Sequence, residues 1–490
     1  MELPAAAISP AHPSADAGQP PLLAPPWSRS QQVAFRYALC FWLLMSFPGF
    51  LVGLMQTVNG VLAWAAETFG AAWLREGPFL WPGGVAEGIG RLGSDGWQPL
   101  TSWLWTQRLV PYEVIHQPTG SGDTGSGIAI WMVVMLVTGL ITLLWSWLAS
   151  RSTGYPRASR WLHAAVRFDV AFAMLGYGLH KFYGGQFGEL GPTRLMTEIG
   201  DLRPMTMVGT FMQANPGYEL FGGAGEVLGG LLLFHRRTAC LGAVVTVGVM
   251  TNVCAINWLC GVPVKLYSAQ LLLYAMALLG PFLPRLWALF VSNRSSEPVD
   301  LAFVHGFWWR VSWTTFGALW VAATLLLTHV QGTGPKPWMA GMEKSSLYGV
   351  WKVERMVVDG VEVAETDVTR WRYLAIDRGK NTWVREVSGT RRGFEFVLDE
   401  GRLEAQVKER RDGKLGDDEA WTIVRGSKIG PVDVPLLLRN EDRAQQRIGP
   451  RPSLTVKGTW RGKPFELDVV EKRFRLQTGF RLRQELPDFW

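Results

Sequence analysis

The chain has 490 residues, of which 48% are hydrophobic and only 18% are charged, and 25 of them are tryptophan. This composition is typical of a membrane protein with aromatic belts at its interfaces, and the length indicates more than one domain. The net charge of +7 does not indicate nucleic-acid binding, because the arginines lie in short loops or among acidic residues and form no separate basic run.

The chain begins with a segment rich in Pro, Ala and Ser, for which we predict a disordered cytoplasmic tail over residues 1–32. This segment lacks the basic start, apolar core and cleavage site of a signal peptide. The predicted transmembrane region follows at residues 33–331. It contains seven apolar runs, most of which approach the ~20 residues that cross a bilayer. The predicted spans are Ala34–Met55, Ile128–Leu148, Leu162–Leu179, Tyr218–Phe234, Ala239–Leu259, Leu266–Leu289 and Val311–His329.

A long tryptophan-rich loop separates the first two spans, over residues 59–127. Its mixed, slightly acidic composition predicts an extracytoplasmic position. Within it, Val61–Leu74 is predicted to form an amphipathic helix lying in the interface plane.

Arginine placement predicts the orientation. Seven spans with a cytoplasmic N-terminus place the arginines of the short loops inside the cell, as the positive-inside rule requires. These arginines are Arg29, Arg36, Arg151, Arg157, Arg160, Arg236, Arg237, Arg285, Arg294 and Arg310. We therefore predict a multi-pass protein of the cell (inner) membrane with its C-terminal domain outside the cytoplasm.

The last third of the chain is of a different class. After a predicted linker at residues 332–346, residues 347–490 alternate apolar with polar side chains between turn signals such as Asp359-Gly360 and Arg461-Gly462. This spacing predicts an extracytoplasmic, all-β, barrel-like domain of about eight antiparallel strands. A barrel of that size is either filled by side chains or holds one small ligand, and the sequence leaves both alternatives open.

The carboxylate of Glu226 lies in the middle of a predicted span, roughly 14 Å from its outer end. A charge at that depth is costly and marks either a functional site or a polar lock between helices. Six more polar residues fall in the outer half of spans three to six, so the candidate pocket consists of Tyr177, His180, Lys181, Glu226, Asn252, Asn257 and Lys265. We expect Asn252 or a water to be the nearest partner of Glu226, because Lys265 lies roughly 12 Å away in depth.

The alternative for each of these residues is structural: a lysine that snorkels to the headgroups, or an asparagine that bridges two helices. The four cysteines, Cys40, Cys240, Cys254 and Cys260, have no zinc or CxxC spacing. No metal site is predicted.

Several segments resemble the DoxX-like membrane protein family, in the long form that ends in an extracytoplasmic β domain. They are Tyr177-Gly-Leu-His-Lys181, Tyr218–Phe234, Arg236-Arg-Thr, Asn252 to Leu266, Gly120-Ser-Gly-Asp-Thr and Gly479 to Pro487. The resemblance implies a four-helix core formed by spans three to six, and a link to membrane redox and thiol homeostasis. It supports the fold more than any reaction.

Two function classes therefore remain. In the first, the protein is a redox-linked membrane subunit that is quinone- or thiol/sulfur-related, works with a redox partner protein, and holds a quinone in the outer-half pocket. In the second, it is a non-enzymatic carrier or scaffold that binds a membrane lipid, another lipid-like ligand or a partner protein. The sequence leaves open whether the protein is an enzyme.

Overall fold

In a computed structural model of the chain, the structure describes residues 27–71, 73, 88, 89, 95–108, 122–149, 154–183, 186–297, 299, 307–333, 342–411, 414–417, 419–431 and 448–472. The predictions for residues 1–26, for most of the tryptophan-rich loop, for residues 334–341 and for the chain after residue 472 lie outside the described residues.

The first predicted span is divided between two helices, α1 (Arg29–Met45) and α2 (Phe47–Phe69). The break falls at Ser46 because Pro48, in the first turn of α2, has no N–H to continue the helical ladder. Helix α1 starts at Arg29, inside the predicted tail, where Ser28 and Gln31 form a capping box. Helix α2 extends to Phe69, so the segment predicted as a separate interfacial helix from Val61 is the second half of α2 up to that residue.

Ten further helices follow among the described residues. They are α3 (Gln98–Thr106), α4 (Gly125–Leu148), α5 (Pro156–Phe182), α6 (Pro192–Leu195), α7 (Pro204–Ala214), α8 (Pro216–Phe234), α9 (Ala239–Leu259), α10 (Lys265–Leu279), α11 (Leu283–Phe290) and α12 (Phe307–Thr333). Short 3-10 turns lie at Asp95–Trp97, Ile199–Asp201 and Gly280–Phe282. The predicted sixth span thus corresponds to α10, a 3-10 turn and α11.

Residue contacts define the directions of the helices. Helix α12 runs parallel to α5, since Trp161 contacts Trp313 and Tyr183 contacts His329. Contacts within the other helix pairs show that α8 and α10 run antiparallel to α5. In the same way, α9 runs antiparallel to α8, and α4 runs antiparallel to α1. We call the end of this helix bundle at which α5 ends and α8 begins the barrel-side end.

Five helices among the described residues are long and apolar enough to cross a membrane. They are Phe47–Phe69, Gly125–Leu148, Ala239–Leu259, Lys265–Phe290 and Val311–Thr333. Helices α5 and α8, predicted as spans three and four, are not among the five. Helix α5 carries Arg160, Arg167 and Asp169 in its first half, and α8 is rich in glycine.

The C-terminal region forms a closed antiparallel barrel. Its eight main strands are β1 (Gly349–Val358), β3 (Trp371–Ile376), β4 (Asn381–Glu386), β5 (Arg391–Asp399), β6 (Glu404–Arg411), β8 (Glu419–Pro431), β9 (Ile448–Trp460) and β10 (Lys463–Glu471). The two-residue strands β2 (Val361–Glu362) and β7 (Lys414–Leu415) pair with β1 and β6. Pairing of β1 with β10 closes the barrel, which confirms the predicted antiparallel, barrel-like fold.

Aromatic side chains fill the described interior of the barrel. Trp371 is fully buried and contacts the rings of Phe394, Trp421, Trp460 and Phe465 at centroid distances of 5.0–5.9 Å. Of the two alternatives for the barrel, the packing of these large rings favours the filled interior.

The barrel packs against the loop that connects α5 to α7. Leu195 and Met196 of this loop form a small buried cluster with Val350 and Ala375 of the barrel. The Arg385 guanidinium donates to the carbonyl oxygen of Met196 at 2.5 Å. These contacts show that the barrel lies at the end of the bundle where α5 ends and α8 begins, which is why we call it the barrel-side end.

Candidate functional site

A buried ion pair joins α5 to α8. Lys181 Nζ lies 2.5 Å from Glu226 Oε2, and the two side chains are only 11% and 4% exposed. The expectation that Asn252 or a water is the nearest partner of Glu226 is therefore wrong. Lys181 lies near the end of α5, and its long side chain reaches back along the helix to the deeper carboxylate.

Glycines bring the two helices close enough for this contact. A Cβ on Gly223 would lie 2.9 Å from the carbonyl oxygen of Gly178 and 3.0 Å from Lys181 Cβ. A Cβ on Gly178 would lie 2.7 Å from Val227 Cγ2. Helix α8 packs on α9 in the same way, since a Cβ on Gly229 would lie 2.7 Å from Thr246 Oγ1. These small residues allow the close helix crossings that surround Glu226.

The ion pair lines a cavity of about 690 Å³ between α5, α7, α8, α9 and α10. Most of its walls are apolar, with Met174, Phe187, Phe221, Val249 and Leu271 among them. Such a volume, with a few polar groups in apolar walls, is typical of a small-molecule site.

The structure brings five of the seven predicted site residues together around this cavity. They are Tyr177, Lys181, Glu226, Asn252 and Asn257. Asn257 is buried, whereas Tyr177 and Asn252 are exposed on the bundle. The remaining two, His180 and Lys265, are not among the residues that line it.

Lys265 has a different partner. Asp123 accepts hydrogen bonds from the backbone N–H of Lys265 at 2.8 Å and of Leu266 at 3.1 Å, and its carboxylate lies 3.3 Å from Lys265 Nζ. Asp123 thus caps the start of α10 from the segment before α4. The depth argument against a Lys265–Glu226 pair agrees with this geometry. His180 is exposed at the end of α5.

Sequence reasoning missed Glu219, which is 4% exposed and also lines the cavity. Its Oε1 atom has no hydrogen-bond partner among the described residues. The signal was present in the sequence, because Glu219 and Glu226 are seven residues apart and so share one face of α8.

A second cavity, of about 440 Å³, shares the walls formed by Tyr267 and Leu271. It contains Asp169, whose carboxylate accepts a hydrogen bond of 3.1 Å from the Trp42 indole. Ser46 and Tyr274 complete this polar group with a 2.7 Å hydrogen bond. The carboxylates of Asp169 and Glu226 therefore lie at different cavities and have different partners.

The larger cavity offers both hydrogen-bond donors and hydrogen-bond acceptors to a ligand. Lys181 donates N–H groups, Tyr177 donates or accepts through its hydroxyl, and Glu226 and Glu219 accept. Among the described residues no group of three or more His, Cys, Asp or Glu could hold a metal ion. The site suits a ligand with a polar head and an apolar body.

Comparison with known proteins identifies a family. A stretch of 137 residues, 28% of this chain, is 34% identical to the "Uncharacterized protein YwoB" of Bacillus subtilis (strain 168) and covers 84% of that protein. The chain belongs to the family of YwoB. Most of the chain lies outside the stretch shared with YwoB, and the name YwoB assigns no activity. No family model matches the chain. No solved structure matches it.

Proposed function

We propose that this chain is an integral membrane protein that binds a small amphipathic ligand, a quinone in the first instance, in the larger bundle cavity. One observation carries the proposal: the Lys181–Glu226 ion pair is almost fully buried and faces an otherwise largely apolar cavity. A buried ion pair gives little net stability compared with apolar packing, so a purely structural role explains it poorly.

A quinone matches the cavity in chemistry. Its two carbonyl oxygens accept hydrogen bonds, which Lys181 and Tyr177 can donate, and its flat ring and isoprenoid tail are apolar. Reduction to the quinol takes up two electrons and two protons. In this proposal the electrons come from a dithiol on a redox partner protein, which is oxidised to the disulfide. The two protons released by the dithiol balance those taken up, and Glu226 passes protons to the ring oxygens.

We further infer seven membrane passes with a cytoplasmic N-terminus and the barrel outside. The pair α1–α2 runs parallel to α5, since Arg36 contacts Tyr155 at the start of α5 and Phe50 contacts Phe172 further along it. The pair α1–α2, α5, α9 and α12 therefore run in one direction, and α4, α8 and α10 run in the other. This alternation supports seven passes. The arginines of the short loops, such as Arg157, Arg236 and Arg285, belong to the end opposite the barrel, as a cytoplasmic position of that end requires.

The resemblance to DoxX-like proteins supports the same proposal. The segments that carry it include Lys181, Glu226 and Asn252, which line the cavity. In this proposal α5, α8, α9 and α10 form the DoxX-like four-helix core, and the barrel is the appended β domain of the long form.

A specific observation also favours the alternative, a carrier of a lipid-like ligand. Phe221 lines the cavity and is 73% exposed, and Leu228 lines it and is 51% exposed. These exposed apolar groups leave the cavity open on the flank of the bundle, where acyl chains would surround a membrane protein. A lipid chain could enter there without any redox step.

Reconstituted full-length protein tests the proposal. In phosphatidylcholine nanodiscs, the wild type should bind decylubiquinone saturably, and Glu226→Gln and Lys181→Met should bind it about tenfold more weakly, the loss of one charge-assisted hydrogen bond. Asp169→Asn, which changes the carboxylate of the second cavity, should bind like the wild type. Equal binding by all four proteins would refute the site.

The redox step is tested separately. Under anaerobic conditions, dithiothreitol with the wild-type protein should reduce bound decylubiquinone faster than with Glu226→Gln at saturating quinone. Saturable binding without any protein-dependent reduction would favour the carrier function.

A further inference from the structure

A polar cavity of about 570 Å³ lies at the junction of the helix bundle and the barrel. Its walls come from the loop after α5, from both ends of α7, and from the β3–β4 turn and the start of β5 of the barrel. Four arginines and three carboxylates line it, and they are Arg194, Arg203, Arg378, Arg391, Glu189, Asp201 and Asp377. The junction cavity is therefore rich in charge, unlike the larger bundle cavity.

The carboxylates in this junction cavity already have partners. Glu189 lies 2.6 Å from Lys344 Nζ and 2.8 Å from the Arg378 guanidinium. Asp201 lies 3.5 Å from the Arg391 guanidinium.

Asp377 accepts hydrogen bonds from the Thr193 hydroxyl at 2.7 Å, the Thr193 N–H at 3.2 Å and the Arg378 N–H at 2.8 Å. These contacts hold the loop on the barrel and leave the remaining arginines of the cavity without an acidic partner.

Two of the four arginines in the junction cavity make no side-chain interaction with the described residues. Among the described residues, neither Arg194 nor Arg203 makes an ion pair, a hydrogen bond or a ring contact through its guanidinium. Arg194 is half-buried and Arg203 is exposed. Two cations that line one cavity repel each other, and neither guanidinium lies within ion-pair distance of a described carboxylate. A guanidinium presents a planar set of N–H donors that matches the oxygens of a phosphate.

The start of α7 provides a second, independent feature. This helix has 11 residues, its N-cap is Arg203, and no side chain caps its first turn. Leu202, Arg203 and Thr206 of this end line the same cavity. The free N–H groups and the dipole of a helix N-terminus favour an anion at that position.

We propose that the junction cavity binds a phosphate group, held by Arg194, Arg203 and the N-terminus of α7. The cavity lies at the barrel-side end of the bundle, at the level where headgroups would surround a membrane protein. The same chemistry could therefore come from an anionic lipid headgroup or from a free phosphoryl solute.

The proposal is independent of the quinone site. Helix α7 separates the two cavities, since Thr206 and Gln213 line the junction cavity and Val208 and Met212 line the larger one. Either site can therefore fail its test without affecting the other.

The test uses full-length protein in nanodiscs. In one arm, inorganic phosphate is titrated into protein in phosphatidylcholine nanodiscs, and its binding is measured by calorimetry. In the other arm, protein is extracted from nanodiscs that also contain phosphatidylglycerol, and the retained lipid is quantified by native mass spectrometry. The variants are Arg194→Gln/Arg203→Gln, Arg194→Lys/Arg203→Lys and Arg410→Gln, which changes an exposed arginine of β6 outside the cavity.

We expect the wild type to bind in at least one arm, and that arm identifies the source of the phosphate. The double glutamine variant should bind at least tenfold more weakly there, since it loses charge-assisted hydrogen bonds. The double lysine variant should keep part of the affinity, and Arg410→Gln should keep all of it. Thermal unfolding shows that each variant is folded. Absence of binding by the wild type in both arms, or equal binding by the folded double glutamine variant, overturns the proposal.

Discussion

The helix bundle and the barrel both pair buried carboxylates with cations, but they differ in what surrounds the pairs. The bundle places the Lys181–Glu226 pair against a cavity, with Glu219 beside it. The barrel fills its described interior with rings such as Trp371 and Trp421. Its buried carboxylates Glu386 and Glu409 are paired with arginines, at 2.5 Å from Arg392 in the first case.

This difference favours the helix bundle over the barrel interior as the place where a ligand binds. The barrel gains stability from its aromatic core, and the described rings occupy space that a ligand would otherwise take. Around Glu226 the bundle has a buried ion pair and a cavity where close apolar packing would be more stable. Such a loss of stability is expected at a functional site. The barrel contacts the bundle through the loop after α5, and any contribution of the barrel to the proposed function belongs to that junction.

The largest effect we expect is on the barrel. Trp371→Ala removes a fully buried ring that four aromatic neighbours contact, and it should cost about 3–5 kcal/mol of unfolding free energy. Denaturant unfolding followed by near-ultraviolet circular dichroism measures it. Val424→Ala, at an exposed position of β8, should change the free energy by less than about 0.5 kcal/mol. A barrel with a ligand-sized void would tolerate the two changes almost equally.

A smaller effect is expected at the α5–α8 crossing. Gly223→Val places side-chain atoms against the Gly178 carbonyl and Lys181, and overpacking of this kind costs about 1–3 kcal/mol. Gly222→Ala is the matched control, because no atom lies within 4 Å of the added Cβ. Thermal unfolding of the reconstituted protein should separate the two variants. Equal melting temperatures would mean that α5 and α8 are not packed as described.

The smallest effect that we expect is a pH dependence of the contact between the barrel and the loop after α5. The hydrogen bond from Lys344, together with Arg378, lowers the pKa of Glu189 below its ordinary value. A carboxylate of this kind stabilises the junction above its unfolded pKa of about 4.3 and loses that contribution as the pH falls through the lower, folded value. The side chain is 62% exposed, so the effect should be small and weakened by salt.

Spin-label distances can follow this pH effect, with labels at the exposed Ile199 and Val368 in a variant without the native cysteines. The distance distribution should broaden below about pH 4 in the wild type, and it should already be broad at neutral pH in Glu189→Gln. A distribution that is identical in both proteins at every pH would remove Glu189 from the junction.

The sequence predicted the features that depend on local pattern. Alternation and turn pairs predicted the antiparallel barrel, and Asp359-Gly360 and Arg461-Gly462 do form turns with positive φ. Depth along the helices placed Tyr177, Glu226 and Asn252 in the outer half of the predicted spans, and all three line one cavity.

The features that were missed depend on side-chain reach and on contacts between distant segments. Lys181 extends along the helix to a carboxylate that a depth argument assigned to Asn252. Asp123 binds Lys265 from 142 residues away in the chain. The anchoring of the barrel by Arg385 on the loop has no local pattern in the sequence. The break at Ser46 was predictable from Pro48, but the apolar run concealed it.

The central claim, that the cavity beside Lys181 and Glu226 holds the ligand, is tested most directly by photolabelling. An azidoquinone is irradiated with the wild-type protein in membranes, and the labelled peptides are identified by mass spectrometry. The account predicts labels on α5, α8 and α9 residues that line the cavity, competed by unlabelled quinone and strongly reduced in Glu226→Gln but not in Asp169→Asn. Competed labelling confined to other segments, or labelling that Glu226→Gln leaves unchanged, would contradict it.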